Sequence, residues 1–474
     1  MTRRHFLWEA GGGMSGIALA WLLAGESANR GQAGAGARQR AAAGGLHHAA
    51  RAKRVVHVFA CGGVSHLDTF DWKPELKSRE GEELTTKGKI DTFFGRPGRI
   101  LPSRFEFRSH GRSGLLVSEL LPHLAKRVDD IAFIYSMTAK SANHTPATFQ
   151  MNSGFLMNGF PSLGSWLSYG LGTENEDLPA FVVLPDPRQP PAGGAINWTS
   201  GFLPAVHQGV ALRTSGDPIA DLSTPAAVSA GRRRKEMSLL DEANRRYLER
   251  HPDETALSAR IRSYELAARM QASVPETIRF DAESPATRAL YGLESPVTEG
   301  FGRNCLLARR LLERGVRFVQ LYHGGAFGQP RINWDGHEDV VENHTRQAAS
   351  LDRPLAGLLA DLKDRGMLED TLVLFTTEFG RTPITEGVGA KGRDHHPHCF
   401  TVWMAGAGVK AGFGYGKSDE VGYFPAESPV SVHDFHATVL HLLGIDHERL
   451  TFYHNGIERR ITDVHGRVVE GLLA

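Results

Sequence analysis

Cysteine is scarce: Cys61, Cys305 and Cys399 are the only three in 474 residues, far apart and odd in number. No CxxC pair is present, so a disulfide framework and a thiolate zinc site are excluded, with room left for one disulfide in an oxidising compartment. Charge of one sign is not in excess either. Lys plus Arg total 54 against 53 for Asp plus Glu, which gives no net field toward nucleic acid or an anionic membrane. Long apolar runs are missing; the N-terminal one, about 11–24, is short for a membrane span. No internal repeat is visible. Apolar content of 41% and charged content of 23% are ordinary for a globular chain, and the length allows up to about three average domains or one large α/β domain.

What is present in excess is histidine, 22 residues against 9 tyrosines. Histidine is the commonest metal ligand and a proton carrier near neutral pH, so the enrichment points to a metal site. The N-terminus, "MTRRHFLWEAGGGMSGIALAWLLAG", has a charged start and a Gly/Ala-rich apolar run, the build of a signal peptide; an uncleaved anchor is the other reading. Arg3-Arg4 followed by Phe6-Leu7 resembles a twin-arginine export motif, which predicts a periplasmic or extracellular protein. Residues 1–50 are thus expected to be signal and flexible linker, with His47 and His48 discounted as ligands.

From residue 54 short apolar, β-rich runs recur: 54–60, 131–135, 180–184, 316–321, 371–377 and 400–405. They read as strands buried on both faces of a mostly parallel sheet. Helical patterns lie between them in "SELLPHLAKRV", "NCLLARRLLERG", "LDRPLAGLLADLKDRG" and "SVHDFHATVLHLLG", with Gly315 and Gly366 as C-terminal caps and Ser431 and Asp434 spaced as a capping box. The alternation predicts a three-layer α/β/α sandwich over 51–474. Residues 186–300 break the rhythm. They carry a Pro/Gly-rich start and a charged helical stretch over about 232–270, read as an insertion or cap with a solvated helix face.

In open α/β sheets sites form beyond the C-terminal strand ends, so the residues just past each strand matter most. His66 and Asp68 come after the first run; Ser141, Asn143, His144 and Thr145 after the second; Asp335, His337 and His344 after the fourth; Glu378 and Arg381 after the fifth. "GRDHHPH", with Asp394, His395, His396 and His398, precedes the last. Five segments bring carboxylates and imidazoles to one sheet edge. Such ligands without thiolate suit Zn²⁺, Mn²⁺ or Fe, and their number would hold two ions. Arg381 reads equally as a contact to developing charge on substrate or as a structural salt bridge. His433 and His436, at helical i, i+3 spacing, read as structural, and His441 as helix core.

The strings "GGVSHLDTFDWKPE", "TEFGRTP", "GRDHHPH", "GFGYGKSDEVGYF" and "VHDFHATVLHLLGIDHERL" together resemble a large bacterial family of unknown function, exported and often labelled sulfatase. That family is placed in the alkaline-phosphatase-like superfamily. The resemblance runs from about residue 54 to 468. It implies one or two divalent ions (Zn, Mn, Fe or Ca) held by His66, Asp68, Asp335, His337, Glu378, Asp394, His395 and His396, with Asn143, His144, Thr145 and Arg381 facing the reacting group. It also implies a hydrolase of phosphate or sulfate esters acting on a small-molecule or glycan substrate. No Cys-x-Pro-x-Arg or Ser-x-Pro-x-Arg string is present, so a formylglycine sulfatase is not expected, and the nucleophile is not assigned. The rival is a non-catalytic protein of the same fold that binds a glycan or protein partner. An isomerase or mutase fits an exported protein less well.

Overall fold

The computed structural model describes residues 45–86, 90–93, 95–214, 229–251, 261, 264–266, 269–270, 279–326, 331–387 and 389–474. The expected signal segment, 1–44, lies outside the described residues, as do 215–228, 252–260 and 271–278 of the expected insertion.

The elements that organise the site are strands β1 (Arg54–Ala60), β2 (Ile131–Thr138), β3 (Phe181–Leu184), β4 (Val210–Ala211), β5 (Phe318–His323), β6 (Thr371–Thr376), β7 (Gly380–Thr385), β8 (Arg393–His396), β9 (Phe400–Ala405), β10 (Phe413–Tyr415) and β11 (Val430–Ser431). The helices are α1 (His144–Ser153), α2 (Leu163–Leu171), α3 (Glu299–Glu313), α4 (Val340–Asp364) and α5 (Val432–Leu442). Nine strands form the central sheet, in the order β10-β2-β9-β6-β1-β5-β3-β4, with β11 also on β2. Every pairing is parallel except those of β9, which runs against both β2 and β6. This is the mostly parallel α/β sheet that the apolar runs predict.

Alternation along the strands divides the core in two. Val56, Val58 and Ala60 of β1 join Val319 and Leu321 of β5 and Val373 and Phe375 of β6 in a cluster with α3 and α4. Val55 and Phe59 point the other way, with Phe318, Leu372 and Leu374, into a cluster with α2 and α5. Successive strand residues face opposite sides of a sheet, so both-face apolar runs require a helix layer on each side. The result is the α/β/α sandwich.

Helices α3, α4 and α5 contain the expected stretches, and Gly315 (φ 84°) and Gly366 (φ 69°) take the left-handed turn after α3 and α4. The capping box of Ser431 and Asp434 is formed. "SELLPHLAKRV" differs from expectation: Ser118 ends a short strand, and only Leu124–Asp130 is helical, of the 3₁₀ kind. Pro122 interrupts the pattern, and the Asp352 carboxylate takes the His123 and Leu124 N–H groups at 2.8 and 2.7 Å, a cap supplied from 229 and 228 residues away. In the insertion, Ala230–Arg250 is a helix with surface pairs Arg232–Glu236 and Arg246–Glu242, the solvated face expected of it. Residues 45–50, read as linker, pair with the body instead. His47 N–H donates to Gly444 O at 2.8 Å, and its Nδ1 accepts the Asp446 N–H at 2.9 Å. His48 in turn covers His441, which is part-exposed and not core. The three cysteines are buried and free, so the disulfide left open by the sequence is not formed.

Candidate metal centre

Because β9 is antiparallel, its start lies at the same sheet edge as the ends of β1, β2, β5 and β6. The chain reaches that start through the hairpin β7–β8, which stands off the main sheet. "GRDHHPH" is therefore largely strand and not loop, and it is carried over the edge where the other segments end.

Four side chains converge there. Ligand atoms of His144, Asp335, His337 and His395 all lie within 4.8 Å of one another. Asp335 Oδ1 is 2.8 Å from His337 Nε2, 3.3 Å from His395 Nε2 and 3.4 Å from His144 Nε2. His337 Nε2 and His395 Nε2 are 2.8 Å apart.

The outer nitrogens decide what these imidazoles present inward. His144 Nδ1 is 2.8 Å from Glu378 Oε1, His395 Nδ1 is 2.6 Å from the Ala142 carbonyl, and His337 Nδ1 is bonded to Glu386 Oε2. Each acceptor is an oxygen, so each Nδ1 carries the proton and each Nε2 turns a lone pair inward in the neutral ring. His144 Nε2 is buried without a hydrogen-bond partner. Arg381 compensates part of this set, at Asp335 Oδ1 and His337 Nε2, while the inward lone pairs of His144 and His395 face the same point with no cation of the chain against them among the described residues. The set of three imidazoles and one carboxylate fits a divalent ion of the Zn, Mn or Fe kind.

The electrostatics fit this reading at Asp335 and His395. Burial pushes the Asp335 carboxyl up, but the Arg381 guanidinium and the three imidazoles gathered around it outweigh burial and hold the group well below the usual carboxylate range. Burial lowers His395 to about 2, against the opposing pull of Asp335, so the ring is neutral and able to ligate. His144 moves the other way: burial lowers it, but Asp335 and Glu378 together raise it above its ordinary value.

The remaining candidates are placed elsewhere. Asp68 is fully buried against Arg393, Nε to Oδ2 at 2.8 Å, and takes the Ser65 hydroxyl at 2.5 Å. His66 Nε2 bonds Gly422 O at 3.0 Å, and His396 Nε2 bonds Tyr423 O at 2.6 Å. Asp394 accepts the Phe93 and His395 N–H groups, each at 2.7 Å. These four lie outside the ligand cluster. Glu378 acts one step back: it accepts the Gly62 N–H at 2.8 Å and orients His144. His398 pairs with Asp91 at 3.1 Å. His344 Nε2 accepts the Ser65 N–H at 3.0 Å. His433 and His436 bond the carbonyls of Gly154 and Met151, each at 2.9 Å, and are structural as expected.

Arg381 is engaged throughout by the protein. It is fully buried, with Nε on Gly63 O at 2.9 Å, one Nη on Arg393 O at 3.1 Å and His337 Nε2 at 3.4 Å, and the other on Asp335 Oδ1 at 2.6 Å and on Gly62 O. Four of its five donors are on oxygens of the protein, and the fifth points to His337 Nε2, itself a candidate ligand atom. The salt bridge to Asp335, one of the two roles expected of Arg381, is formed. Asn143 is exposed as the N-cap of α1, and Thr145 lies in its first turn, beside His144.

Three contributors were not anticipated: Glu386, which fixes His337; Arg393, which neutralises Asp68; and Arg331, which binds Asp335 Oδ2. Glu386 follows β7, a strand with no apolar run to mark it in the sequence, so it carried no signal. The insertion starts at the same edge. Asp186 takes the Gly324 N–H at 2.7 Å, and the Ala326 N–H donates to Pro190 O at 2.9 Å.

The profile of a family described as a protein of unknown function, DUF1501, matches residues 52–473. No curated protein matches the chain. Similar solved structures include the lipoteichoic acid synthase LtaP from Listeria monocytogenes, at 11% identity over 90% of this chain and 79% of that one, with a TM-score of 0.31. The PsFucS1 sulfatase from Pseudoalteromonas sp. is 12% identical over 86% and 74%, with a TM-score of 0.33. Alkaline phosphatase from the Antarctic bacterium TAB5 is 10% identical over 79% and 96%, with a TM-score of 0.31.

Proposed function

The chain belongs to the DUF1501 family, and on that premise we propose that it is a metal-dependent hydrolase of phosphate or sulfate esters, not of the formylglycine type. One observation carries the proposal: three imidazoles, each fixed through Nδ1 by an oxygen acceptor, turn Nε2 toward Asp335 Oδ1. A divalent ion held there would supply Lewis acidity toward an ester oxygen. The resemblance of the strand-end motifs to the alkaline-phosphatase-like superfamily supports the ester class.

The chain's own groups would divide the remaining work. Glu378 and Glu386 hold His144 and His337 in the ligating tautomer. The N-terminus of α1 lies beside the cluster, where its first-turn N–H groups favour an anionic group. Asn143 and the Thr145 hydroxyl would face the reacting group from that turn. The start of the insertion at the same edge supports a cap that shapes access for a small-molecule or glycan ester.

The N-terminal segment carries the cellular part of the proposal. Its paired arginines and apolar run support export by the twin-arginine route, to the periplasm or beyond. Among the described residues no helix is long and apolar enough to cross a membrane.

The test is metal content of the purified protein by inductively coupled plasma mass spectrometry, beside Asp335→Ala and His395→Ala. We expect stoichiometric metal in the wild type, lost in both variants, and ester hydrolysis that tracks the metal. A wild type that stays metal-free after incubation with Zn²⁺, Mn²⁺, Fe²⁺ or Ca²⁺ would sink the proposal.

A further inference from the structure

Asp335 carries a guanidinium on each carboxylate oxygen: Arg381 on Oδ1 at 2.6 Å and Arg331 on Oδ2. The two differ in exposure and in what their donors touch. The Arg381 side chain is 0% exposed and that of Arg331 is 27% exposed. Arg381 spends every donor on the protein, whereas Arg331 places Nε on Glu338, at 3.0 and 3.1 Å, and one Nη on Asp335. The second Nη of Arg331 makes no hydrogen bond among the described residues.

Arg331 is also held firmly. Its carbonyl accepts from Arg346 Nη2 at 2.9 Å and from Gln347 Nε2 at 3.2 Å, both on α4, so backbone and head group are each fixed. A donor placed in advance binds an oxyanion without first being reordered. Its charge, moreover, is only partly used where it sits. Asp335 already has a buried guanidinium on Oδ1 and three imidazoles around it. Glu338 is 61% exposed, so solvent screens that pairing. The other carboxylates of the site, Glu378 and Glu386, lie behind the imidazoles, on their outer nitrogens.

We propose that Arg331 is the substrate contact of this site: its second Nη donates to a non-bridging oxygen of the phosphate or sulfate group, while Asp335 and Glu338 hold the guanidinium in place. This deepens the hydrolase reading and rests on it. The planar head stays protonated across the usable pH range, and its paired N–H groups match a tetrahedral oxyanion.

The experiment titrates inorganic phosphate, and separately inorganic sulfate, into the Zn²⁺-loaded protein by calorimetry. Zinc content is measured by mass spectrometry and folding by circular dichroism. The wild type is expected to bind at least one of the two anions. Arg331→Met is expected to keep its Zn²⁺, because Asp335, Arg381 and the imidazoles remain, and to bind that anion about ten- to a hundredfold more weakly. Arg331→Lys, a point charge without the planar fork, is expected to fall between the two. A zinc-loaded Arg331→Met with wild-type anion affinity would overturn the inference. So would an Arg331→Met that folds but loses its Zn²⁺, which would make Arg331 a support of Asp335 alone, and so would a zinc-loaded wild type that binds neither anion. In these three cases the ion site stands. A wild type that takes up no ion overturns the proposed function, and this inference with it. If Arg331→Met does not fold, Arg331→Lys decides, and unchanged anion affinity there overturns the inference.

Discussion

Consecutive side chains of a strand point to opposite faces, and this sorts "RDHH" in β8. His395 turns to the cluster, while its neighbours Asp394 and His396 turn to Phe93 N–H and Tyr423 O. The sequence shows a dense patch of ligand-type residues, but only the pairing of β8 with β7 reveals that one of three adjacent residues reaches the His/Asp cluster. Asp68 makes the same point. Beside His66 it reads as a ligand; its partner, Arg393, is 325 positions away and could not be foreseen. Burial pushes the Asp68 carboxyl up, yet Arg393 outweighs this and lowers it to about 2. Asp68→Ala leaves that arginine buried and unpaired, so it should destabilise the protein by roughly 3–5 kcal/mol in urea unfolding. Because Asp68 lies outside the His/Asp cluster, the folded fraction should bind as much metal as the wild type. Metal loss without loss of stability would return Asp68 to the ligand set.

At the scale of elements, the six main strands were legible because burial on both faces leaves an unbroken apolar run. The hairpin β7–β8 was not. Its residues, "GRTPIT" and "RDHH", are polar or Pro-containing, and its strands are buried by the site and not by an apolar layer. This hairpin nevertheless sets the spacing of two ligands. The Arg393 N–H donates to Gly336 O at 3.1 Å, which ties β8 to the segment bearing Asp335 and His337. The tie needs a glycine beside it, since a Cβ on Gly392 would overlap the His337 carbonyl. Gly392→Ala should therefore push the hairpin from that segment and weaken Zn²⁺ binding by roughly tenfold or more, about 1.4 kcal/mol. Calorimetric titration checks this, and unchanged affinity would show that the hairpin does not set the ligand spacing.

Beside the three imidazoles of the candidate metal cluster, the described residues include a set of histidines buried as neutral rings. His57, His323 and His436 belong to this set, and burial first of all lowers each to about 3. His323 shows why protonation is unwelcome: its Nδ1 accepts the Trp334 indole N–H at 3.0 Å, and its Nε2 is bonded to Ser350 at 2.9 Å. In the unfolded chain these rings titrate near about 6.5. Between about 3 and 6.5 the unfolded state therefore binds more protons, so the stability is present above 6.5 and falls with decreasing pH. Each ring adds about 1.4 kcal/mol per pH unit to that slope. Urea midpoints at pH 7, 6 and 5 should decline progressively, and His57→Gln should flatten the decline by one ring's share. A midpoint that is level down to pH 5 contradicts this account.

The three free thiols have a use of a different kind. Cys61 sits at the end of β1, Cys305 inside α3 and Cys399 just before β9, and burial raises all three well above the ordinary thiol range. A buried, protonated thiol does not react with an alkylating reagent until the structure around it opens. The chain thus carries two such clocks at strand ends of the sheet and one in the helix layer of α3. Labelling with iodoacetamide, with intact-mass measurement afterwards, should give no adduct on the folded protein and three on the unfolded one. Intermediate masses would time which layer opens first.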